Sequence, residues 1–198
     1  MSKNIAFFDF DGTIIRGDSL IEFIKFVVGD FNYYKGLFFL SPMLILYRFK
    51  LIKNDVAKER LLSYYFRGYT FDEFQKLGNQ FSLNEIDRLV YEDALKRFLW
   101  HQENGDEVVI VSASIECWLQ AWCKKNGIDL ISTKLATYNN VLTGKFSGKN
   151  CYGKEKKNRV LEQYTLDNYD EIYVYGDSKG DRELLTLATK SFYRYFKK

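Results

Sequence analysis

Residues Ile5–Thr13 (Ile-Ala-Phe-Phe-Asp-Phe-Asp-Gly-Thr) form a short apolar run that ends in two aspartates, and they are the most informative segment for the fold of this chain. The apolar run is typical of a buried strand, and Gly12 is the first break after it. If the extended backbone continues through Asp11, the carboxylates of Asp9 and Asp11 lie on the same side of the chain. Two carboxylates about 4 Å apart repel by roughly 4 kcal/mol at an effective dielectric of 20, so the pair favours a bound cation. Mg²⁺ suits such a site because it takes oxygen ligands and bridges carboxylates to phosphates.

The composition limits the class of protein. The chain has 198 residues, of which 46% are hydrophobic, and this is enough for one domain with a modest inserted unit. The formal net charge of +3 is too small to indicate a nucleic-acid partner. The cysteines, Cys117, Cys123 and Cys151, form an odd set without a CxxC pair, so neither disulfides nor a zinc site is indicated. We see no leader before the first strand and expect a reduced, cytoplasmic protein. The single histidine, His101, is expected at the surface rather than in catalysis.

The distribution of apolar residues divides the rest of the chain into two parts. Residues 17–103 are almost entirely helical in pattern, whereas strand-like and helical runs alternate from residue 107 onward. Such alternation is typical of βα units that build a parallel sheet. We therefore predict an α/β fold, with a three-layer α/β/α Rossmann-like core made of residues 1–16 and 93–198 and an inserted helical cap made of residues 17–92.

Start and stop signals place the individual elements. In the helical part we expect capping boxes that begin at Ser19, Thr70 and Ser82, and helices over 20–28, 55–66, 71–80 and 83–103. In the alternating part we expect strands over 107–112, 131–136 and 171–175, helices over 115–126 and 153–164, a hairpin turn at Asn139-Asn140 and an edge strand over 192–196.

One apolar run in the predicted cap has two interpretations. Residues 36–47 include only one break, Ser41-Pro42, and are flanked by Lys35 and Arg48. The run is too short for a membrane span, which needs about 20 apolar residues. We predict a buried helix that packs within the cap. The alternative is an apolar interfacial or substrate-facing surface.

Polar side chains follow three of the predicted strands. Asp9 and Asp11 follow the first, Ser112 ends the second, and Asp177 follows the strand over 171–175. Asp181 lies four residues beyond Asp177, about one helical turn, so both side chains can face one point. Ligands bind at the carboxyl ends of parallel strands. Three or four carboxylates that converge there favour a divalent cation over a structural polar cluster.

A lysine would complete such a site by neutralising a phosphate. Lys154, Lys156 and Lys157 lie near the start of the helix over 153–164. Periodicity leaves Lys156 and Lys157 open, because each shares a helix face with an apolar residue four positions on. The segment 145–159 has five lysines and one arginine against Glu155, a net charge of +5. It is interpreted as a solvated surface or as an attractor for an anionic substrate.

The motifs, in this order and spacing, resemble the haloacid dehalogenase (HAD) superfamily of aspartate-nucleophile phosphatases. Asp9–Thr13 matches its first motif, Ser112 its second and Gly176–Asp181 its fourth, and the spacing around Asn150 points to Lys156 as the third. The helical insert resembles the C1 cap of subfamily IB, the phosphoserine-phosphatase-like branch. The resemblance covers nearly the whole chain, and the joint match is far more specific than any one motif.

The resemblance implies a mechanism. Asp9 would attack phosphorus to give an aspartyl-phosphate. Asp11 would protonate the leaving oxygen and then activate the hydrolytic water, and an acid at this place favours phosphate-ester over halide chemistry. The resemblance assigns the phosphoryl group to Ser112, Lys156 and Gly12. It assigns Mg²⁺ to Asp9, Asp11 through its backbone carbonyl, Asp177 and Asp181.

The substrate is where alternatives stay open. The leading expectation is a small phosphometabolite such as phosphoserine, with Asp18 near the place of an amine-binding glutamate and with Lys58 or Arg60 able to bind a carboxylate. Ser-Ala-Ser at 112–114 departs from the Ser-Gly-Gly of phosphoserine phosphatases. One alternative is a lipid phosphate, with peripheral membrane contact through the apolar cap surface. Another is a non-catalytic protein that binds Mg²⁺ and phosphate.

Overall fold

The computed structural model of the protein describes residues 3–196. Its strands are β1 (Ile5–Phe8), β2 (Glu107–Ile115), β3 (Asp129–Thr133), β4 (Leu135–Tyr138), β5 (Val141–Phe146), β6 (Ile172–Gly176) and β7 (Lys190–Tyr193). Five of them form a parallel sheet in the order β3-β2-β1-β6-β7, and β4 pairs with β5 as a separate antiparallel hairpin. The predicted α/β fold with a parallel sheet is confirmed. The hairpin turns at Asn139 and Asn140, as expected, and both have the positive φ angles that asparagine tolerates.

The helices are α1 (Ser19–Arg48), α2 (Asn54–Phe66), α3 (Phe71–Asn84), α4 (Ile86–Leu89), α5 (Glu92–Glu103), α6 (Gln120–Lys125), α7 (Lys154–Gln163) and α8 (Arg182–Leu185). The helices expected over 55–66 and 153–164 are present. The single helix expected over 83–103 is wrong, because the chain leaves the helical conformation at Val90. The backbone of Val90 forms an antiparallel β-bridge with Ile15, and the N–H of Tyr91 donates to the carbonyl of Ile14 (2.9 Å). A tertiary contact with the first motif thus interrupts the helix. The division between a core and a cap of residues 17–92 stays a prediction.

Helices cover both faces of the sheet. One face of β1 presents Ile5 and Phe7 to a core shared with Val160 of α7 and Leu184 of α8. The alternate residues, including Phe8, face a second core that extends into the helices between β1 and β2. This alternation follows from the two-residue period of a strand. Because both faces are buried, β1 is apolar throughout, as a central parallel strand should be.

The histidine lies in the second core, which contradicts the expectation of a surface position. His101 has no exposed surface; its Nδ1 lies 2.7 Å from Asp106 Oδ2, and its Nε2 lies 3.0 Å from the hydroxyl of Tyr175. It shares the inward face of α5 with Phe98 and Ala94, three and seven residues earlier along the helix. Other charged residues of this helix, such as Lys96 and Glu103, are exposed, so the local pattern resembles that of a surface helix. Arg97, one turn before His101, donates to the same Tyr175 hydroxyl (2.6 Å). His101 takes no part in the cavity described below.

Helix α1 is longer than predicted. The expected stop at Gly29 is a kink, with φ 76° and ψ 160°, after which the chain continues in helix to Arg48. Pro42 lies inside this second half and cannot donate to the carbonyl of Phe38, which receives the hydroxyl of Ser41 instead (2.7 Å). The apolar run at 36–47 is therefore helical, as predicted. The prediction that this helix is buried is wrong for one of its faces, where Phe38 is 77% exposed. Within residues 3–196, no helix combines the length and apolarity needed to cross a bilayer.

Two of the three expected capping boxes are wrong. Thr70 and Glu73 form the predicted box at the start of α3. At the start of α1 the capping residue is Asp18, which accepts from the N–H of Leu20 (2.9 Å), so the Ser19 side chain is available for another contact. Ser82 lies within α3 and accepts from the backbone N–H of Trp122 (2.8 Å). In both cases a tertiary partner takes the serine hydroxyl.

Candidate active site

The adjacency of β1 and β6 brings the predicted carboxylates together. Asp9 directly follows β1, and its N–H donates to the carbonyl of Tyr175 in β6 (2.9 Å). Asp177 directly follows β6, and Asp181 lies one turn further on. Carboxylate oxygens of Asp9, Asp177 and Asp181 all lie within 4.8 Å of one another. The expected convergence at the carboxyl edge of the sheet is therefore present.

Lys156 contacts this acidic cluster from the first turn of α7. Its Nζ donates to Asp9 Oδ1 (2.5 Å) and to Asp181 Oδ1 (2.7 Å), and the side chain is 2% exposed. Burial alone would lower the pKa of this ammonium, but the two carboxylates outweigh it and raise the pKa above its usual range. Lys157 points elsewhere and donates to Thr186 (2.9 Å). The choice that periodicity left open is thus settled in favour of Lys156 as the lysine at the site.

Asp181 is held rigidly by its neighbours. While Oδ1 accepts from Lys156, Oδ2 accepts from the N–H of Ser178 (2.9 Å), the hydroxyl of Ser178 (2.7 Å) and the N–H of Asp177 (3.2 Å). Burial would raise the pKa of this carboxyl, but the Lys156 charge and the hydrogen bonds bring it below its usual value. Asp181 is therefore a fixed anion at the base of the cluster.

The donor set fits a hard divalent cation. Three carboxylates face one ammonium, which leaves a formal charge of −2 in the cluster. Burial raises the pKa of Asp9 to about 8 in spite of its ion pair with Lys156, and the charges of Asp181 and Asp11 add to the rise. The cluster is thus short of positive charge, and oxygen donors are those that Mg²⁺ prefers. The side chain of Asp11 lies outside this group of three carboxylates. Asp11 could therefore bind the metal through its backbone carbonyl but not through its side chain.

Asp11 is directed by a different set of contacts. Its Oδ1 accepts from the N–H of Ser19 (2.6 Å), and its Oδ2 accepts a short hydrogen bond from the hydroxyl of Ser114. Burial, together with the charge of Asp18, raises the pKa of Asp11 to about 6, while the hydrogen bonds from Ser114 and Ser19 restrain the rise. A carboxyl with such a pKa can both give and take a proton near neutral pH.

Ser114 and Ser19 contact the candidate site but are absent from the site residues predicted from the sequence. Their hydroxyls lie 2.8 Å apart, and the indole N–H of Trp118 donates to Ser19 (3.1 Å). The local pattern predicts Ser19 to be a helix cap, and it identifies Ser114 only as part of the Ser-Ala-Ser sequence. The available signal was the Ser-x-Ser spacing at the end of a buried strand, which places two hydroxyls beside the first motif.

The other predicted phosphate ligands are near the site but already bonded. Ser112 is fully buried, and its hydroxyl accepts from the N–H of Ser114 (3.0 Å). Gly12 lines the cavity in a left-handed conformation (φ 74°), and its N–H donates to the carbonyl of Ile15 (3.0 Å). That N–H is therefore not free for a phosphate oxygen. The phosphate-binding roles of Ser112 and Gly12 stay predictions.

A cavity of about 540 Å³ opens above the carboxylates. Its floor carries Asp9, Asp11 and Lys156, and its opposite wall comes from α1 and α2. This wall is mainly apolar and aromatic, and consists of Leu20, Ile21, Leu44, Tyr47, Ala57 and Leu61. The volume is in the range of small-molecule sites. The site can therefore enclose a phosphate and a partly apolar organic group.

The three residues considered for specificity occupy different places. Asp18 and Lys58 both line the cavity, and Lys58 Nζ donates to the carbonyl of Ala113 (2.7 Å). Burial lowers the pKa of Lys58, and the charges of Asp11 and Asp18 oppose the change. Arg60 lies in a separate surface groove with Phe39. Arg60 is thus excluded from direct contact with a ligand in this cavity.

Comparisons with known proteins agree with this geometry. A family model described as haloacid dehalogenase-like hydrolase matches residues 6–186. Protein CicA of Caulobacter vibrioides is 30% identical over 192 residues, which cover 96% of this chain and 85% of that protein. A histidinol-phosphatase of Neisseria meningitidis serogroup C is 27% identical over 218 residues, which cover 95% of this chain and 88% of that protein.

Solved structures share the fold. A protein of unknown function from Bordetella pertussis Tohama I superposes with a TM-score of 0.81 at 21% identity, over 96% of this chain and 88% of that chain. A phosphoserine phosphatase, described as a phospho-aspartyl intermediate analogue, superposes with a TM-score of 0.61 at 16% identity, over 95% of this chain and 84% of that chain. At these identities the likeness concerns the fold.

Proposed function

Because the chain belongs to the haloacid dehalogenase-like hydrolases, we propose that it is a Mg²⁺-dependent phosphatase that hydrolyses a phosphomonoester through an aspartyl-phosphate. The coarser activity, that of a phosphoric monoester hydrolase, follows from the family and its phosphatase relatives. The observation that carries the finer proposal is that Asp9 and Asp11 have different hydrogen-bond partners and charged neighbours. Asp9 is ion-paired to Lys156, whereas Asp11 is hydrogen-bonded to neutral groups and has a pKa of about 6.

Asp9 is the proposed nucleophile. One oxygen of its carboxylate attacks phosphorus, the bond from phosphorus to the ester oxygen breaks, and an aspartyl-phosphate forms. Lys156, which contacts both Asp9 and Asp181, offers a fixed positive charge to the phosphoryl oxygens as negative charge spreads over them. Mg²⁺, held by Asp9, Asp177, Asp181 and the Asp11 carbonyl, would supply further charge neutralisation at the phosphoryl group.

Asp11 is the proposed proton carrier. In the first half-reaction it donates its proton to the leaving alkoxide. In the second it takes a proton from the water that attacks phosphorus, and cleavage of the acyl-phosphate bond restores Asp9 and releases inorganic phosphate. Its contacts with Ser19 and Ser114 support this role, because they aim the carboxyl without neutralising it by a cation.

The cavity wall supports a small phosphate ester whose organic part is partly apolar. Leu20, Ile21 and Leu61 offer apolar surface, and Asp18 and Lys58 offer one charge of each sign. These charges suit a zwitterionic metabolite such as phosphoserine or another amino-compound phosphate. Asp18 and Lys58 line the same cavity, so a single small substrate could contact both side chains.

A second candidate substrate is a lipid phosphate. The observation that favours it is the contribution of Leu44 and Tyr47 to the cavity wall, because these residues come from the apolar second half of α1. An acyl chain could leave the cavity along this helix. Hydrolysis of lysophosphatidic acid or phosphatidylglycerophosphate in preference to phosphoserine would support this candidate.

Replacement of Asp9 by Asn tests the chemistry. The change is isosteric, so we expect the fold and thermal unfolding midpoint to stay close to those of the wild type, while turnover of p-nitrophenyl phosphate with Mg²⁺ falls by at least about 10³-fold. Rapid-quench mass spectrometry should find a phosphoryl group on the peptide that contains Asp9 in the wild type alone. Full activity in the variant would refute the covalent mechanism. Absence of any metal-dependent hydrolysis by the wild type would favour the non-catalytic alternative.

A further inference from the structure

The second half of α1 exposes an apolar stripe. Along this helix, large apolar side chains recur at spacings of three, four, seven and four residues, which places them on one face. Together with the nearby Phe39 and Leu51, they form what we call the α1 surface. It consists of Phe31, Tyr34, Phe38, Phe39, Ile45, Phe49 and Leu51. Four of its seven members are more than 70% exposed, namely Phe31 (79%), Phe38 (77%), Leu51 (73%) and Phe49 (72%).

Packing within the chain does not account for this stripe. The inward face of the same helix buries Tyr33, Gly36 and Met43 against its neighbours. Gly36 permits this approach, because a Cβ there would lie 2.1 Å from the Tyr65 hydroxyl oxygen. A helix on the surface of a soluble protein normally turns polar residues outward. Here the outward face is apolar as well, and exposed clusters of this kind mark interaction sites.

Basic residues predominate in the segment that carries the α1 surface, although Asp30 and Asp55 lie at its two ends. From Phe31 to Asn54 the sequence contains four basic residues, Lys35, Arg48, Lys50 and Lys53, and no aspartate or glutamate, so this segment has a net charge of +4. All four basic side chains belong to exposed residues. Aromatic side chains within a basic rim are the composition of helices that lie in the interface of an anionic bilayer.

We propose that the α1 surface docks the enzyme on an anionic phospholipid bilayer, with its apolar side chains in the interface and its basic rim at the headgroups. A second copy of the chain is a poorer occupant, because a symmetric contact would bring two segments of charge +4 together. Leu44 and Tyr47 of the same helix line the cavity, so α1 contributes one side to the cavity wall and another side to the α1 surface. This inference concerns the surface alone and does not depend on the substrate of the proposed function.

Sedimentation with sucrose-loaded vesicles tests the proposal. The full chain is mixed with vesicles of phosphatidylglycerol and phosphatidylcholine (1:1) or of phosphatidylcholine alone, and the partition coefficient is measured. We expect binding to the anionic vesicles that weakens in 0.5 M NaCl. Phe38→Ser/Phe39→Ser should lower the partition coefficient at least about tenfold, because two large apolar side chains leave the interface. Lys35→Glu/Lys53→Glu should lower it at least about 25-fold, at about fivefold for each cation lost.

Matched variants outside the α1 surface serve as controls. Tyr138→Ser removes an aromatic residue of similar exposure (73%) in the hairpin, and Lys76→Glu/Lys124→Glu changes the net charge by the same amount as the rim variant. Both should bind within about twofold of the wild type. Unfolding midpoints of all variants show whether they fold, so the result stands whether or not the protein hydrolyses a phosphate ester.

Three outcomes would overturn the proposal. The first is that the wild type stays in solution with anionic vesicles. The second is that the control variants lose as much binding as the variants of the α1 surface. The third is that light scattering finds a dimer that Phe38→Ser/Phe39→Ser dissociates, without vesicle binding, since the surface would then be an interface between copies. Loss confined to the α1-surface variants, with monomers throughout, supports bilayer docking.

Discussion

Replacement of Ser114 by Ala should move the pH dependence of the enzyme without removing any group that the mechanism uses for bond making. Ser114 donates to Asp11 Oδ2, and this contact keeps the pKa of Asp11 lower than burial and the charge of Asp18 would otherwise make it. A hydrogen bond to an ionised group contributes about 1.5–3 kcal/mol. The N–H of Ser19 still donates to the other oxygen at 2.6 Å, so we take the lower half of that range.

That energy sets the size of the expected effect. At 1.36 kcal/mol per pKa unit, the loss of the bond raises the pKa of Asp11 from about 6 by roughly one to one and a half pH units. Asp11 must be protonated to donate to the leaving group, so kcat/KM declines as pH rises through its pKa. The alkaline limb of the kcat/KM profile should therefore move to higher pH by the same interval in the variant.

The assay is hydrolysis of p-nitrophenyl phosphate from pH 5 to 9 at saturating Mg²⁺, with wild type and variant compared under the same conditions. Ser114→Thr keeps a hydroxyl and should restore the wild-type profile. Ser82→Ala removes a buried serine that bonds the N–H of Trp122 instead, so it should cost stability without moving the profile. If the alkaline limb is the same in Ser114→Ala as in the wild type, the role given to the Ser114 contact is refuted.

Two further predictions concern stability. Burial and the charge of Arg97 lower the pKa of His101, although its contact with Asp106 opposes the change. The unfolded chain therefore binds more protons than the folded chain as the pH falls below about 6.5, and the free energy of unfolding should decrease there by up to about 1.4 kcal/mol per pH unit. Urea unfolding at pH 7.5 and 5.5 should show a smaller loss for His101→Gln, and an equal loss would contradict this account. Gly78→Ala should lower the free energy of unfolding by about 1–2 kcal/mol, measured by urea unfolding at neutral pH. The added Cβ would lie 2.5 Å from the Cys117 carbonyl oxygen. This clash costs more than the gain in helix propensity of about 1 kcal/mol. The exposed Gln80→Ala in the same helix should not destabilise, and a Gly78→Ala protein as stable as the wild type would show that the two segments can separate at little cost.

The parallel sheet and the acidic end of its central strand could be predicted from local sequence, because both depend on short-range patterns. A strand buried on both faces must be apolar along its length, as Ile5–Phe8 is. The carboxyl ends of parallel strands meet at one edge, so Asp9 and Asp177 had to lie near each other once the strands were recognised. Resemblance to a family then distinguished the roles of the two aspartates of the first motif, which the pattern alone treats as equivalent.

Helix boundaries and serine contacts were less predictable because long-range partners compete with local ones. The pattern over 83–103 is helical throughout, yet a backbone bridge between Val90 and Ile15 interrupts it. Ser19 satisfies the rule for a helix cap, but its hydroxyl bonds Ser114 and Trp118 instead. A capping rule compares a side chain only with its own helix, so it cannot anticipate such a partner.

The α/β class and the carboxylates at the strand ends follow from the sequence, since periodicity and spacing are properties of neighbouring residues, and the family resemblance identifies Asp9 among them as the candidate nucleophile. Periodicity left Lys156 and Lys157 open, the family resemblance favoured Lys156, and the packing of α7 brings its Nζ into the cluster. The contact of Ser114 with Asp11 is visible in the tertiary structure alone. The tertiary structure also decided that the apolar face of α1 around Phe38 points outward. These outcomes depend on which face of a helix meets the rest of the chain. Periodicity identifies such a face, and packing alone determines what lies against it.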